Sequence, residues 1–341
     1  MKKFWARLTQ WEYWPFELFY APVFCYYFFL AIKHRSFFFF TASNPSMECG
    51  GMFGEKKSDI FSIMPHQYIP KTHLINTGAI ETALDTAHEL GYPLITKPNV
   101  GERGNWVKKI EDEEQLRDYV KRCRVDFLMQ ELVDYPIELG VFYVRKPSEN
   151  KGRVTSIVRK NFLTVEGDGI HSIRELLLSN ERALLTANLN SDFLRSFGNT
   201  VPALDEEVLV EPIGNHCRGT QFLNDNHEIT DELCAAFDEV ALQIPDFYYG
   251  RFDLKCRTYE ELAALKNFKI LELNGAGAEP AHIYQPGYSL FKAYKDIIWH
   301  FRQLSIISRQ NREAGVRYWS LKQGYQKWRE YKKHYEKLSE G

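Results

Sequence analysis

Tyr249-Gly-Arg-Phe-Asp253-Leu-Lys255, followed by Lys269-Ile-Leu-Glu272-Leu-Asn274-Gly275, reads as two short strands around which the chain is organised. In the first, Phe252 and Leu254 alternate with Arg251, Asp253 and Lys255. In the second, Ile270, Leu271 and Leu273 enclose Glu272 and Asn274. Successive strand side chains point to opposite faces, so Arg251 and Asp253 share one face, as do Glu272 and Asn274. The connector, Thr258 to Lys266, is acidic and helix-like. If the strands are antiparallel neighbours, Asp253, Glu272 and Asn274 converge beside Arg251. Three oxygen ligands of that kind suit Mg²⁺, which keeps waters and takes further ligands from substrate phosphates. The plainer reading is two hairpin strands with polar outer faces, and these residues alone leave both readings open.

The chain has 341 residues, enough for a substantial core and more than one domain. Its 44% hydrophobic and 26% charged residues are those of a folded globular protein. The net charge is −2 but unevenly spread: residues 1–35 carry five Lys/Arg against two Glu, and residues 311–341 carry eight against four. The middle is therefore acidic, which argues against a nucleic-acid partner, while basic ends are compatible with an anionic membrane surface. Six cysteines form no CxxC pair and no zinc-spaced cluster, a pattern expected of free thiols in a reducing cytoplasm. No cleavable signal peptide is expected, since Glu12, Glu17 and two prolines interrupt the apolar stretch.

Residues 4–40 are aromatic-rich. Phe16 to Ile32 is 17 residues long with one charge, Glu17, and contains Pro22. That length is at the lower limit for crossing a bilayer, and the Trp and Tyr content is that of a membrane interface. A helix or bent hairpin in the headgroup region, flanked by Lys2, Lys3, Arg7, Lys33 and Arg35, fits better than a full span. The alternative is an arm packed on this protein or on a second copy in a homodimer. Phe37 to Thr41 reads as a buried strand. Asn44 to Gly54 is a glycine-rich loop without a P-loop ending; it is either a substrate-admitting segment with Asn44 and Glu48 or a plain connection. Strand, helix and turn signals then alternate from Ile69 to Gln243. They include a strand ending at Lys97-Pro98, a loop containing Gly101, Gly104 and Trp106, and a strand from Phe127 to Val133. A long strand from Ile137 to Val144 and a helix from Ile173 capped by Ser172 with Glu175 at capping-box spacing follow. Near the C-terminus, Leu321, Tyr325, Trp328 and Tyr335 form an apolar helical stripe, expected to cover the core or the aromatic arm; a membrane-facing basic helix is the alternative.

Lys97, at a strand end before a loop with Gly101 and Gly104, is suited to phosphate oxygens. Glu131 and Val133 offer backbone groups for an adenine edge, and Glu138 a carboxylate for ribose hydroxyls. Arg159, Lys160 and Arg218 are further cations for phosphate or carboxylate. The order of these features from Ile69 to Gly287 resembles the ATP-grasp superfamily. It does so most specifically at Lys97-Pro98 with Gly101 and Gly104, at Gly250-Arg-Phe-Asp253 and at Glu272-Leu-Asn274. Arg159-Lys160 through Val165-Glu-Gly-Asp-Gly-Ile-His-Ser-Ile-Arg-Glu-Leu176, and Asn215-His-Cys-Arg218-Gly219-Thr220, resemble the D-alanine–D-alanine ligase and cyanophycin-synthetase branches.

The resemblance implies an α+β ATP-grasp fold, two α+β subdomains gripping ATP, with a reduced N-terminal α/β unit and N- and C-terminal helical extensions. The expected division is an aromatic arm at 1–35, a reduced unit at 36–68, a catalytic domain at 69–300 and basic, aromatic helices at 301–341. It implies a carboxylate–amine ligase that releases ADP and works through an acylphosphate. Lys97, Gly101, Gly104 and Arg159 or Lys160 would hold the phosphates; Glu131, Val133 and Glu138 would hold the nucleoside. Asp253, Glu272 and Asn274 would hold Mg²⁺, with Mn²⁺ as the alternative ion. Arg251 and Arg218 would stabilise the transferring phosphoryl group and the tetrahedral intermediate. The substrates would be a small-molecule acid and amine, with an amphipathic, envelope- or lipid-related substrate expected, and the expected location is cytoplasmic, at the inner face of the membrane. Competing readings are a soluble amino-acid or dipeptide ligase and a non-catalytic ATP-binding protein of an envelope pathway. Substrate is expected against residues 44–54 and 276–285.

Overall fold

The computed structural model describes residues 11–101, 104–180, 183, 192–211, 214 and 219–339. Two antiparallel sheets and the helices that cover them form the body. The first sheet has the order β1-β4-β2-β3, with β1 Thr72–Ile75, β2 Leu94–Pro98, β3 Lys108–Ile110 and β4 Phe127–Glu131. Helices α3 (Ile80–Leu90) and α4 (Glu113–Arg122) cover it, burying Leu84, Leu116 and Tyr119 against Leu94, Phe127 and Met129. α4 begins where the Asp112 side chain accepts from the Gln115 N–H, with Glu113 and Glu114 in the first turn; a side-chain cap and early acidic residues are what an exposed N-terminus requires.

The second sheet has the order β11-β10-β5-β6-β9, comprising β5 Ile137–Val144, β6 Arg153–Asn161, β9 Gln221–Asn224, β10 Tyr249–Cys256 and β11 Phe268–Asn274. Leu139, Val141 and Tyr143 of β5 and Phe252, Leu254 and Cys256 of β10 point to one face. They pack on Leu233, Phe237 and Val240 of α7 (Asp231–Leu242) in the largest core cluster. The short helix α8 (Tyr259–Ala263) joins β10 to β11. A third, two-stranded sheet of β7 (Leu163–Glu166) and β8 (Glu207–Glu211) carries α5 (Ile173–Ser179) and α6 (Asp192–Phe197). Ser172 and Glu175 form the full capping box at the start of α5.

The N-terminal arm is one helix, α1 (Phe16–His34), with Pro22 inside its seventh position. By length and composition it is apolar enough to cross a membrane, but it is fastened to the body. Phe19 stacks on Tyr294 of α9 (Leu290–Glu313) at 5.4 Å, and His34 reaches Ser305 of the same helix at 2.7 Å. Phe37 to Thr41 is not a strand: a 3₁₀ turn, Phe39–Ala42, follows Phe38, and all four of its residues are buried between α1 and α9. Four consecutive apolar residues carry no period, so strand and buried turn look alike in sequence. The short helix α2 (Lys57–Ile63) follows the glycine-rich loop.

The last helix, α10 (Leu321–Ser339), turns the other way from the expected stripe. Leu321, Tyr325, Trp328 and Tyr335 are exposed, and the inward face is Gly324, Lys327 and Leu338. Gly324 sits where a Cβ would lie 1.9 Å from the Phe38 ring, and Lys327 is paired with Glu48 at 2.6 Å. Leu338 joins the core of the first sheet, and its carbonyl accepts from the Trp106 indole at 2.8 Å.

Candidate active site

The two sheets face each other across one continuous cavity of about 1400 Å³. Lys97, Gln130, Glu131 and Val133 reach it from the first sheet and its exit. Glu138, Lys160, Arg251, Asp253, Glu272 and Asn274 reach it from the second.

The pairing of β10 with β11 is antiparallel, with Asp253 opposite Glu272 and Arg251 opposite Asn274. A β-bulge follows: Leu254 pairs with Ile270, so Leu271 is the extra residue. The bulge changes which side chains turn inward. Phe268, Ile270 and Leu273 are buried in the core, while Glu272 and Asn274 stay on the cavity face with Asp253. It also frees the Leu271 carbonyl, which accepts from the Lys97 amine at 2.9 Å. Bulges of this kind re-aim side chains at the cost of one ladder bond.

Gly140 of β5 lies opposite Asp253. A Cβ there would stand 2.9 Å from Val158 Cγ1 and 3.1 Å from both Arg251 Cδ and Asp253 Oδ1. Glycine leaves the space in which Arg251 and Asp253 meet.

The charged groups form one network. Arg251 grips Asp253 with two hydrogen bonds, Nε to Oδ1 at 2.7 Å and a terminal nitrogen to Oδ2 at 3.1 Å. Lys160 lies 3.0 Å from Glu138 and 3.5 Å from Asp253. Lys57, at the start of α2, pairs with Glu272 at 2.9 Å and donates to the Gly101 carbonyl at 2.7 Å. Lys97 also donates to Gln130 Oε1 at 3.0 Å and stands over the Phe61 ring.

Burial governs these ionisations. It pushes the Lys97 amine down to about 7, against the opposing pull of Glu272. Burial alone would raise the Asp253 carboxyl, but Arg251 and Lys160 beside it hold it below the usual range. Burial would also raise the Glu272 carboxyl, and Lys57 together with Lys97 holds it below the usual range. Lys160 is raised: Asp253 and Glu138 overcome desolvation. The arrangement is a set of buried cations and carboxylates in mutual balance, a setting in which a polyphosphate and a divalent ion can exchange for the internal partners.

The residue chemistry fits a hard cation. Asp253 and Glu272 are cross-strand neighbours, and Asn274 has a buried side-chain nitrogen without a hydrogen-bond partner. A half-turn of that amide puts its oxygen in the same place. Among the described residues no group of three or more His, Cys, Asp or Glu gathers into a metal site. Two carboxylates and an amide are the sparse donor set used by Mg²⁺ when phosphates complete its shell.

The other expected site residues fall as follows. Glu131 ends β4; its side chain accepts from the Lys71 N–H at 3.0 Å, and with Val133 it lines the cavity. Gly101 and Gly104 line it too, and Gly104 has a positive φ of 70°. Arg159 lies on the opposite face of β6 from Lys160 and pairs with Asp225 at 2.9 Å, outside the cavity. Of the two neighbouring cations, Lys160 is the one that faces the cavity. Arg218 lies outside the described residues. The glycine-rich loop at 44–54 divides. Asn44 is wholly structural, donating to the Gly50 and Tyr249 carbonyls and accepting from the Tyr248 and Tyr249 N–H groups. Gly51, Met52, Phe53 and Gly54 line the cavity, as do Ala276 to Ala281 and Tyr284. Lys57 and Gly140 had no sequence signal as site residues; both act through tertiary neighbours. The five described cysteines are free thiols, and Cys217 lies outside the described residues.

No protein-family model and no curated protein matches the sequence. Solved structures that resemble the chain include a bifunctional glutathione synthetase from Pasteurella multocida, at 13% identity and TM-score 0.38, covering 71% of this chain and 35% of that one. Another is the D-alanine–D-alanine ligase of Bacillus anthracis, at 13% identity and TM-score 0.44, covering 76% and 69%. A third is the ATP-grasp ligase PsnB complexed with minimal precursor, at 16% identity and TM-score 0.39, covering 73% and 59%. The chain thus spans about a third of the first of these proteins and more than half of the other two.

Proposed function

We propose that the chain is an ATP-dependent carboxylate–amine ligase that releases ADP. The observation that carries this reading is the cross-strand set Asp253, Glu272, Arg251 and Asn274, facing Lys97 and Lys160 in one cavity. In the proposal Lys97, Lys160 and the loop containing Gly101 and Gly104 bind the phosphates. Glu131, Val133 and Glu138 bind the nucleoside. Asp253, Glu272 and Asn274 would hold Mg²⁺, which when bound neutralises phosphate charge. Arg251 releases one of its bonds to Asp253 and takes up charge on the transferring phosphoryl group. Such transfer depends chiefly on positioning and on neutralising charge. The carboxylate substrate attacks the γ-phosphate to give an acylphosphate and ADP, and the amine then displaces phosphate.

A position at a membrane surface is part of the same proposal. Leu18, Phe29 and Ile32 on α1 are 57%, 59% and 76% exposed, so the helix keeps an apolar outer face while its inner face is fastened to α9. The experiment is ADP release on adding paired pools of acids and amines, with co-sedimentation on anionic vesicles. ADP release that requires both an acid and an amine supports the ligase. ATP hydrolysis indifferent to both, or none with any pool, overturns it.

A further inference from the structure

The cavity continues past the phosphate-facing residues. Beyond Arg251 it runs past Glu279 and along α1, where Phe16, Tyr20, Phe24, Tyr27 and Phe28 line it. These positions recur at i, i+4, i+8, i+11 and i+12, a single stripe of an α-helix. From Phe16 to Phe28 the stripe is about 18 Å long at the helical rise. Phe16, Phe24 and Phe28 are 48%, 40% and 51% exposed, so among the described residues a wall of large rings stands about half exposed beside the charged cleft. The rings hold one another in place: Phe16 stacks on Tyr20 at 4.4 Å, and Phe28 meets Phe37 edge-on at 5.9 Å.

At the inner end of this wall stands one carboxyl group. Glu279 accepts from the Tyr20 hydroxyl and, through its other oxygen, from the Tyr284 hydroxyl at 3.0 Å. Its backbone carbonyl accepts from Arg251 at 3.2 Å, which fixes it next to the phosphoryl-facing arginine. Burial raises this carboxyl to about 7. A carboxylate in such surroundings pairs with an ammonium and repels a second acid, and the faces of adjoining rings favour a cation as well.

We infer that this compartment is the subsite for the nucleophile, and that it takes an amphiphilic primary amine with its ammonium at Glu279 and its apolar chain along the stripe of α1. The inference rests on the ligase reading given above and names the substrate class of that site. The ammonium gives one proton to the Glu279 carboxylate. The lone pair so freed attacks the activated acyl carbon and forms the C–N bond. The C–O bond to the phosphoryl group breaks, phosphate leaves with the bonding pair, and it takes the second proton of the nitrogen, so that a neutral amide remains. Glu279 then returns its proton to solvent.

The test measures dissociation constants of the full chain for n-alkylamines from butylamine to dodecylamine, and for n-alkyl carboxylates of the same lengths. All are kept below their micelle-forming concentrations, and MgATP affinity of the wild-type chain is measured alongside. Each methylene laid on the rings should tighten amine binding by up to about fourfold. Glu279→Gln should weaken the amines by at least about tenfold with the chain-length slope retained. Phe24→Ser and Phe28→Ser, at positions 40% and 51% exposed, should flatten the slope while the preference for amine over carboxylate persists, with circular dichroism recorded for each. Carboxylates binding as tightly as amines, or a slope untouched by both serine variants, would overturn the subsite. MgATP binding without any chain-length dependence removes the subsite and leaves the ligase reading standing; absence of MgATP binding removes that reading itself.

Discussion

Replacing Lys97 by methionine separates the role of this amine in nucleotide binding from any role in stability. Lys97 is 7% exposed, donates to Gln130 and to the Leu271 carbonyl freed by the bulge, and lies over Phe61. Methionine has a similar length and suits the same apolar surroundings. Leaving two acceptors unpaired costs about 1–3 kcal/mol each. Removing a buried amine that burial holds near 7 relieves a desolvation penalty of comparable size. The two effects offset, so the melting temperature should shift little. Nucleotide binding should respond strongly, because one charge-assisted bond to phosphate contributes about 1.5–3 kcal/mol, or roughly 10- to 150-fold in Kd. The pH profile adds a second signature. In the proposed role the phosphate-binding form is the protonated amine, which prevails below about 7 and is depleted above it. Wild-type affinity for MgATP should therefore fall as pH rises through 7, by up to about tenfold for each pH step beyond it, and Lys97→Met should lack that component. The assay is calorimetric titration with MgATP at several pH values, with thermal unfolding in parallel. Unchanged affinity in a folded Lys97→Met protein would refute the assignment of Lys97 to phosphate.

Three further outcomes are expected. Gly140→Ala should lower stability by about 1–3 kcal/mol through overpacking and weaken MgATP by separating Arg251 from Asp253; thermal unfolding and titration check both. Asn44→Ala strips four hydrogen bonds from backbone; the Gly50 carbonyl keeps the Ala276 N–H, so three groups are left unpaired, and at about 1 kcal/mol or more each the change should cost at least about 3 kcal/mol in denaturant unfolding. Glu279 titrates near 7 in the folded chain against an ordinary value of 4.5, so the folded state binds more protons between those values. Its contribution to stability is fully present below 4.5 and is lost as pH rises through 7, by up to about 3 kcal/mol; Glu279→Gln should remove that slope from the wild-type stability profile.

The antiparallel meeting of Asp253 with Glu272 was legible because two alternating strands and a short acidic connector leave few other arrangements. Alternation also placed Arg251 and Asn274 on the same side. The bulge at Leu271 was not legible, since an apolar pair within a strand looks like ordinary core until the partner register is known. Lys57 and Gly140 were hidden for a related reason: one reaches Glu272 from a distant helix, and the other matters only through the space it leaves. The outward turn of α10 shows a limit of periodicity. Its inward face is set by the close approach of Gly324 to Phe38 and by the pairing of Lys327 with Glu48, and neither residue counts as apolar. In sequence the aromatic arm reads as lying at a membrane interface or packed on protein; in the structure the helix does more than one thing, binding α9, lining the cavity and exposing Leu18, Phe29 and Ile32.

In the proposed site Asp253, Glu272 and Asn274 hold the divalent ion that accompanies ATP. Calorimetric titration with ATP in the presence of Mg²⁺ and again in the presence of a chelator tests it most directly, in the wild-type chain and in the double variant Asp253→Asn, Glu272→Gln, with circular dichroism recorded for each. Mg²⁺ should tighten ATP binding to the wild-type chain, and a folded double variant should lose this Mg²⁺ dependence. An equal Mg²⁺ dependence in the two folded proteins would contradict it.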